Sequence, residues 1–182
     1  MSHYPILVIG PNIEKQLAPY QENNMENCPK EFLTFNNVEI SEKKYYDLGI
    51  SNKEFLKDYP TFENYLEENY EKDEETNLYG YWENPNAKWD WYEIGGRWRR
   101  TLKLKNGQGT NSDKLKNINL DSILDFQHVL KDGIWYESGE VGWWATTSAT
   151  ENDEKEFTEN FQDKFLKGLS GETLLTLVDC HI

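Results

Sequence analysis

The chain is poor in the residues from which chemistry is most easily read. Its 182 residues hold two cysteines, three histidines and two methionines. Cys28 and Cys180 build no disulfide framework and fit no zinc-ribbon spacing, so a stapled scaffold is excluded and a reducing cytoplasm is the expected home. Long apolar runs are absent. The run inside the opening MSHYPILVIG is too short for a secretory signal or a membrane span and lacks a basic flank, so it reads as a strand and no membrane partner is expected. Positive charge is scarce as well: 19 Lys and Arg stand against 33 Asp and Glu, a net charge of −14. Such a field repels nucleic acid and anionic membranes at long range and draws in basic partners. The NGQG of Asn106–Gly109 lacks the Lys-Ser/Thr and the helix start of a phosphate loop. No Ser-His-Asp order is present, and Cys28 has no histidine near it in sequence, so nucleophilic catalysis finds no support.

Aromatic residues are plentiful: 7 Trp, 11 Tyr and 8 Phe. They concentrate in Tyr79–Lys105, YGYWENPNAKWDWYEIGGRWRRTLKLK, beside the pair Gly95-Gly96. Large rings with polar handles dominate cores and interfaces. A glycine pair among them marks a turn or a close approach of backbone to another group.

Periodicity supplies the elements. Tyr4–Ile9 reads as a buried strand closed by Gly10-Pro11-Asn12, Ile13–Tyr20 as one helical turn or irregular backbone broken at Pro19, and Phe32–Ile40 as an exposed strand. Phe55, Leu56, Tyr59, Phe62, Leu66 and Tyr70 form a helical stripe that Pro60 splits in two. Lys88–Trp91 and Trp98–Leu104 read as strands flanking the glycine turn, and Asp121 as the cap of a short helix. Asp132-Gly133 predicts a hairpin between Gln127–Lys131 and Ile134–Tyr136, followed by a strand at Val141–Ala145. Phe157, Phe161 and Phe165 predict a helix over Glu151–Leu169, and Thr173–Ile182 a last strand. The order implies a single α+β domain over residues 1–182, a mostly antiparallel sheet holding both terminal strands, with helices packed on one face.

Three constellations carry candidate chemistry. Asp179 and His181 share one face of the last strand, and pairing with the first strand would bring His3 to them. Two imidazoles and a carboxylate suit a metal with an open position, or acid–base work on a phosphodiester; water-satisfied strand ends are the plainer alternative. Asp90, Glu93 and Arg97 lie beside the aromatic cluster, where Arg97 would clamp an anion or pair internally. From Lys88 to Lys105 six bases meet two acids, whereas Asp58–Asn77 carries eight acids and one lysine, the usual composition of a solvated face.

SHYPILVIG with QLAPYQEN, NPNAKWDWYEIGGRW and the closing VDCHI resemble a family of small proteins carried by tailed phages and prophages. The three stretches span the chain, and the central one is the most specific. They are also similar to type II anti-CRISPR proteins, inhibitors of Cas9. Arg99-Arg100 departs from the smaller residues that relatives would carry after GGRW, which sets the loop after Trp98 apart. The resemblance implies a phage-derived, cytoplasmic inhibitor of bacterial defence, a binding protein without enzyme activity or cofactor. It would bind Cas9 with guide RNA and block target DNA engagement or cleavage. Cas9 offers positively charged channels. Glu63, Glu67, Glu68, Glu71, Asp73, Glu74 and Glu75, with Asp153, Glu154 and Glu156, would meet them. Arg97, Arg99 and Arg100 in the Lys88–Lys105 strip would add a nucleic-acid contact. The alternative is a small metal- or His-dependent phosphodiesterase, or a nucleotide-binding protein, using His3, Asp179 and His181. A virion part without an active site is a third.

Overall fold

In chain order the elements are β1 (His3–Ile9), α1 (Ile13–Leu17), β2 (Thr34–Asn37), α2 (Glu39–Gly49), α3 (Phe55–Asp58), α4 (Phe62–Asn69), β3 (Glu71–Lys72), β4 (Tyr79–Glu83), β5 (Trp91–Ile94), β6 (Leu102–Lys103), β7 (Gly109–Thr110), β8 (Ser112–Lys114), β9 (His128–Lys131), β10 (Ile134–Glu137), α5 (Glu151–Phe161) and β11 (Leu174–His181). The computed structural model describes residues 2–124, 126–140 and 147–182; the strand expected at Val141–Ala145 lies outside them. The chain forms two compact units, one of residues 1–25 and 86–182 and one of residues 26–85. No described helix is long and apolar enough to cross a membrane.

The first unit is an α+β layer structure around a mainly antiparallel sheet in the order β10-β9-β1-β11-β5. The terminal strands form its centre. β1 and β11 run antiparallel from His3↔His181 to Ile9↔Leu175. On its other side β11 pairs with β8 through Leu174–Thr176 and then with β5 through Val178–His181. A strand flanked along its whole length has its backbone satisfied by neighbours, so both of its faces are free to carry apolar side chains. Leu175, Leu177, Val178 and Cys180 are accordingly buried completely.

Alternation divides these side chains between two cores. Leu7, Ile9, Val129, Leu175 and Leu177 point to the face covered by Phe157, Phe161 and Phe165. Tyr4, Ile6, Val8, Leu130, Val178 and Cys180 point to the other, where Leu17 of α1 and Trp89 close over them. Each fully buried Leu, Ile or Phe contributes about 1.5–3 kcal/mol. α5 starts where Thr150 and Asp153 form a reciprocal capping box, and it runs on into a π-helical turn at Gln162–Leu166. Phe165 and Leu166 are both buried in that turn. The hairpin at Asp132-Gly133 forms with both residues at positive φ (54° and 76°).

The second unit is a three-stranded sheet, β2-β4-β3, with α2, α3 and α4. Its interior is aromatic: Tyr46 lies 5.5–5.9 Å from the rings of Phe55, Phe62 and Tyr65. Pro60 separates α3 from α4, and Thr61 caps α4 by accepting from Asn64 N.

Local sequence misplaced several boundaries. The strand expected over Phe32–Ile40 stops at Asn37, whose side chain accepts from Glu39 N and turns the chain into α2. That helix buries only Tyr46 and exposes Ile40, Tyr45 and Leu48, so it lacks the stripe that would announce it. The strand expected at Lys88–Trp91 begins only at Trp91, because Trp89 is taken by a bridge to Gln21. Trp98 belongs to a 3-10 turn, and the strand after it is Leu102–Lys103. Asp121 is not a cap: Asn119 caps that 3-10 turn by accepting from Asp121 N.

Candidate functional site

The β1–β11 register decides what meets at one end of the sheet. His3 stands opposite His181, and His181 in turn stands opposite Trp91 on β5. A period of two places Asp179 on the same face as His181. All four residues lie in the first unit. The three rings form a near-equilateral triangle: His3 to His181 4.9 Å, His3 to Trp91 5.4 Å, Trp91 to His181 5.5 Å between centroids. Trp91 stacks on His181 at an interplanar angle of 19° and meets His3 edge-on at 83°.

Each imidazole is held by its own carboxylate. His3 Nδ1 donates to Asp179 Oδ1 at 2.9 Å, and His181 Nδ1 donates to Asp90 Oδ1 at 2.5 Å. A carboxylate only accepts, so both rings carry their hydrogen on Nδ1 and present Nε2 as the basic nitrogen when neutral. Both rings are nearly enclosed, their side chains 7% and 6% exposed. The Nε2 of His181 is buried and has no hydrogen-bond partner. A buried polar atom left unsatisfied is uncommon, and the Nε2 of His128 is another in this chain.

The carboxylates are built in with equal care. Asp179 is 1% exposed, and its second oxygen accepts from Arg97 N at 2.9 Å. That N–H is aimed by Gly95 and Gly96, at φ 80° and 40°. A Cβ on Gly96 would stand 2.2 Å from Asp179 Oδ2, so the absence of a side chain there lets backbone reach this carboxylate, while a Cβ on Gly95 would meet the Asn111 side chain. Asp90 Oδ1 also accepts from Trp91 N at 2.7 Å, and its other oxygen receives Asn24 Nδ2 at 3.4 Å. Near Asp90, the Glu22 carboxyl is pushed above its ordinary range, by burial first and by the charge of Asp90 second, with His181 opposing.

The structure thus brings together His3, Asp179 and His181, as the sequence suggested, and adds Asp90, Trp91 and the Gly96–Arg97 backbone. The metal use foreseen for the first three is not what the geometry builds. Among the described residues no group of three His, Cys, Asp or Glu side chains is disposed to hold an ion, because each Nδ1 is already committed to a carboxylate. Asp90 was read only as a neighbour of Glu93 and Arg97, because nothing local ties it to His181, 91 positions away.

The remaining candidates disperse. Arg97 is exposed, and its guanidinium forms no ion pair with a described residue; the internal pair with Asp90 or Glu93 does not form. Arg99 approaches Glu93 at 3.8 Å, and Arg100 N donates to Asn111. Lys88 pairs with Glu137 at 2.8 Å. Glu63, Glu67, Glu68, Glu71, Glu74 and Glu75 are exposed in the second unit, whereas Asp153, Glu154 and Glu156 belong to α5 in the first. Two of the acids serve the fold. Asp73 accepts from Thr76 N and Oγ1 in the β3–β4 turn, which lowers its carboxyl below the usual range, and Asp153 closes the α5 cap, with the same result.

The stretches that carry the phage-family resemblance, SHYPILVIG, WDWYEIGGRW and VDCHI, supply His3, the Asp90–Arg97 segment, and Asp179 with His181. Set beside known proteins, the chain matches no family model, no curated protein and no solved structure.

Proposed function

We propose that the His3–His181 pair is an acid–base site acting on a phosphodiester. The observation that carries this reading is the pairing of two imidazoles, 4.9 Å apart, each with Nδ1 on a separate carboxylate, with the buried Nε2 of His181 lacking a hydrogen-bond partner. With one ring neutral and one protonated, the neutral Nε2 takes the proton of the attacking hydroxyl as the new P–O bond forms. The protonated ring gives its proton to the departing alkoxide as the old P–O bond breaks. Such paired transfer contributes about 10²–10⁴-fold per group. Asp179 and Asp90 hold the tautomers, and the backbone N–H of Arg97 holds Asp179 in turn. Incubation with a panel of phosphodiesters tests it. Turnover that disappears in both His3→Ala and His181→Ala supports the site; activity equal to the parent in either variant removes it.

A second reading is binding to a basic protein surface, with a Cas9-type nuclease and its guide RNA as the partner that the phage resemblance suggests. The exposed carboxylates on and after α4 favour it, since Glu63, Glu68, Glu71, Glu74 and Glu75 have no ion pair with a described residue. Changing these five to Gln should abolish capture of Cas9–guide RNA at low salt while the fold is kept; no capture by the parent itself ends this reading.

A further inference from the structure

Trp91 covers the two imidazoles and yet is 44% exposed. One face of its indole is occupied by the stacked His181 ring, so the exposure belongs to the opposite face and the edge. An aromatic plane left open to solvent beside a phosphate-handling pair is the arrangement on which nucleobases stack. The carboxylates that touch the imidazoles are both engaged, Asp179 by His3 and Arg97 N, and Asp90 by His181 and Trp91 N. Each of their four oxygens already has a donor, the weakest being Asn24 Nδ2 at 3.4 Å from Asp90 Oδ2, and a hydroxyl carried by the substrate needs no carboxylate to place it. A ribose supplies such a hydroxyl next to its 3′-phosphate. The net charge of −14 disfavours a long polyanion, which limits the substrate to a short one.

Resting on the acid–base reading above, we infer that the substrate is a short ribonucleotide whose base stacks on the open face of Trp91 and whose own 2′-hydroxyl is the nucleophile. The 2′-oxygen loses its proton to one Nε2 and bonds to phosphorus. The P–O5′ bond breaks, and the 5′-oxygen takes a proton from the other ring. The products are a 2′,3′-cyclic phosphate and a free 5′-hydroxyl, with no oxidant, reductant or co-reactant consumed.

The test uses the full chain with the dinucleotide ApA, its analogue with a 2′-deoxyribose on the 5′ side, and an abasic ribose 3′-(4-nitrophenyl phosphate). The parent should cleave ApA to the cyclic phosphate and leave the deoxy analogue intact. Trp91→Leu should raise KM for ApA about 5- to 150-fold more than it raises KM for the abasic substrate, the range expected for loss of one stacked base. Trp91→Phe, which keeps a smaller platform, should fall between. Cleavage of the deoxy analogue at the same rate, or an equal loss on both substrates in Trp91→Leu, overturns this inference but leaves the acid–base site standing. Failure of the parent to cleave any phosphodiester, these three included, overturns both.

Discussion

His3 Nδ1 and Arg97 N reach the same buried carboxylate, Asp179, from the start and the middle of the sequence, one at each oxygen and both at 2.9 Å. Asp179 is therefore a joint between β1, β11 and the glycine turn as well as a support for an imidazole. Its double role explains why a carboxylate tolerates almost complete burial: two donors replace the water it loses.

Replacing it separates these roles. Asp179→Asn keeps the shape but offers one acceptor oxygen and one amide donor, so one of its two partners meets the wrong group. The unmatched contact should cost about 1–3 kcal/mol of stability, read by urea unfolding. The imidazole of His3 should lose its fixed tautomer, visible as a change in its ring ¹⁵N shifts. Unaltered shifts would mean that the carboxylate does not set the tautomer.

Gly96→Ala is expected to be among the most damaging small substitutions in the chain. Its Cβ falls 2.2 Å from Asp179 Oδ2, on a backbone at φ 40°. Gly107 provides the control, with φ 84° and no atom within 4 Å of a new Cβ. Gly107→Ala should cost about 1 kcal/mol from backbone strain alone, and Gly96→Ala clearly more. Equal unfolding midpoints for the two variants would refute the close-approach argument.

His128 gives the fold a pH dependence. Its ring is held below the ordinary imidazole value by burial first, with Lys88 acting in the same direction and Glu137 and the Pro5 backbone opposing. The unfolded chain consequently takes up this proton at higher pH than the folded one. The stability tied to the neutral ring is complete above about pH 6.5 and declines as the pH falls below that value. Melting temperatures of the parent and His128→Gln, compared from pH 8 to pH 5, should converge toward the acid end. Parallel curves would assign the acid loss to other groups.

The α5 start is a simpler case. Thr150→Ala removes the acceptor for Asp153 N and should destabilise by about 0.5–2 kcal/mol. Phe161→Ala, at the last residue of the same helix and at 0% exposure, should cost about 3–5 kcal/mol. A reversed order in chemical denaturation would show that the helix is held by its cap rather than by its phenylalanines.

Much of this protein was legible locally, because local rules wrote it. The branched run Ile6–Ile9, the four-residue spacing of Phe157, Phe161 and Phe165, the Asp132-Gly133 turn and the break at Pro60 each state a backbone preference within a few residues. The alternation along β11 also fixed that Asp179 and His181 share a face and Cys180 the other. Two things were out of reach of such rules. α2 carries no apolar stripe, since it buries a single tyrosine, so its helicity answers to neighbours rather than to a pattern. The division into two units likewise depends on which segments pair, not on any change in composition.

The site shows the same limit most clearly. Its residue types were visible one by one, as three histidines and an aromatic stretch with two glycines. That His3 takes Asp179, that His181 takes Asp90, and that Gly96 must lack a side chain follow only from the β1–β11–β5 register. Register is set by long-range hydrogen bonding and by which faces the cores can bury, and a shift of one residue would turn every one of these groups to the opposite side.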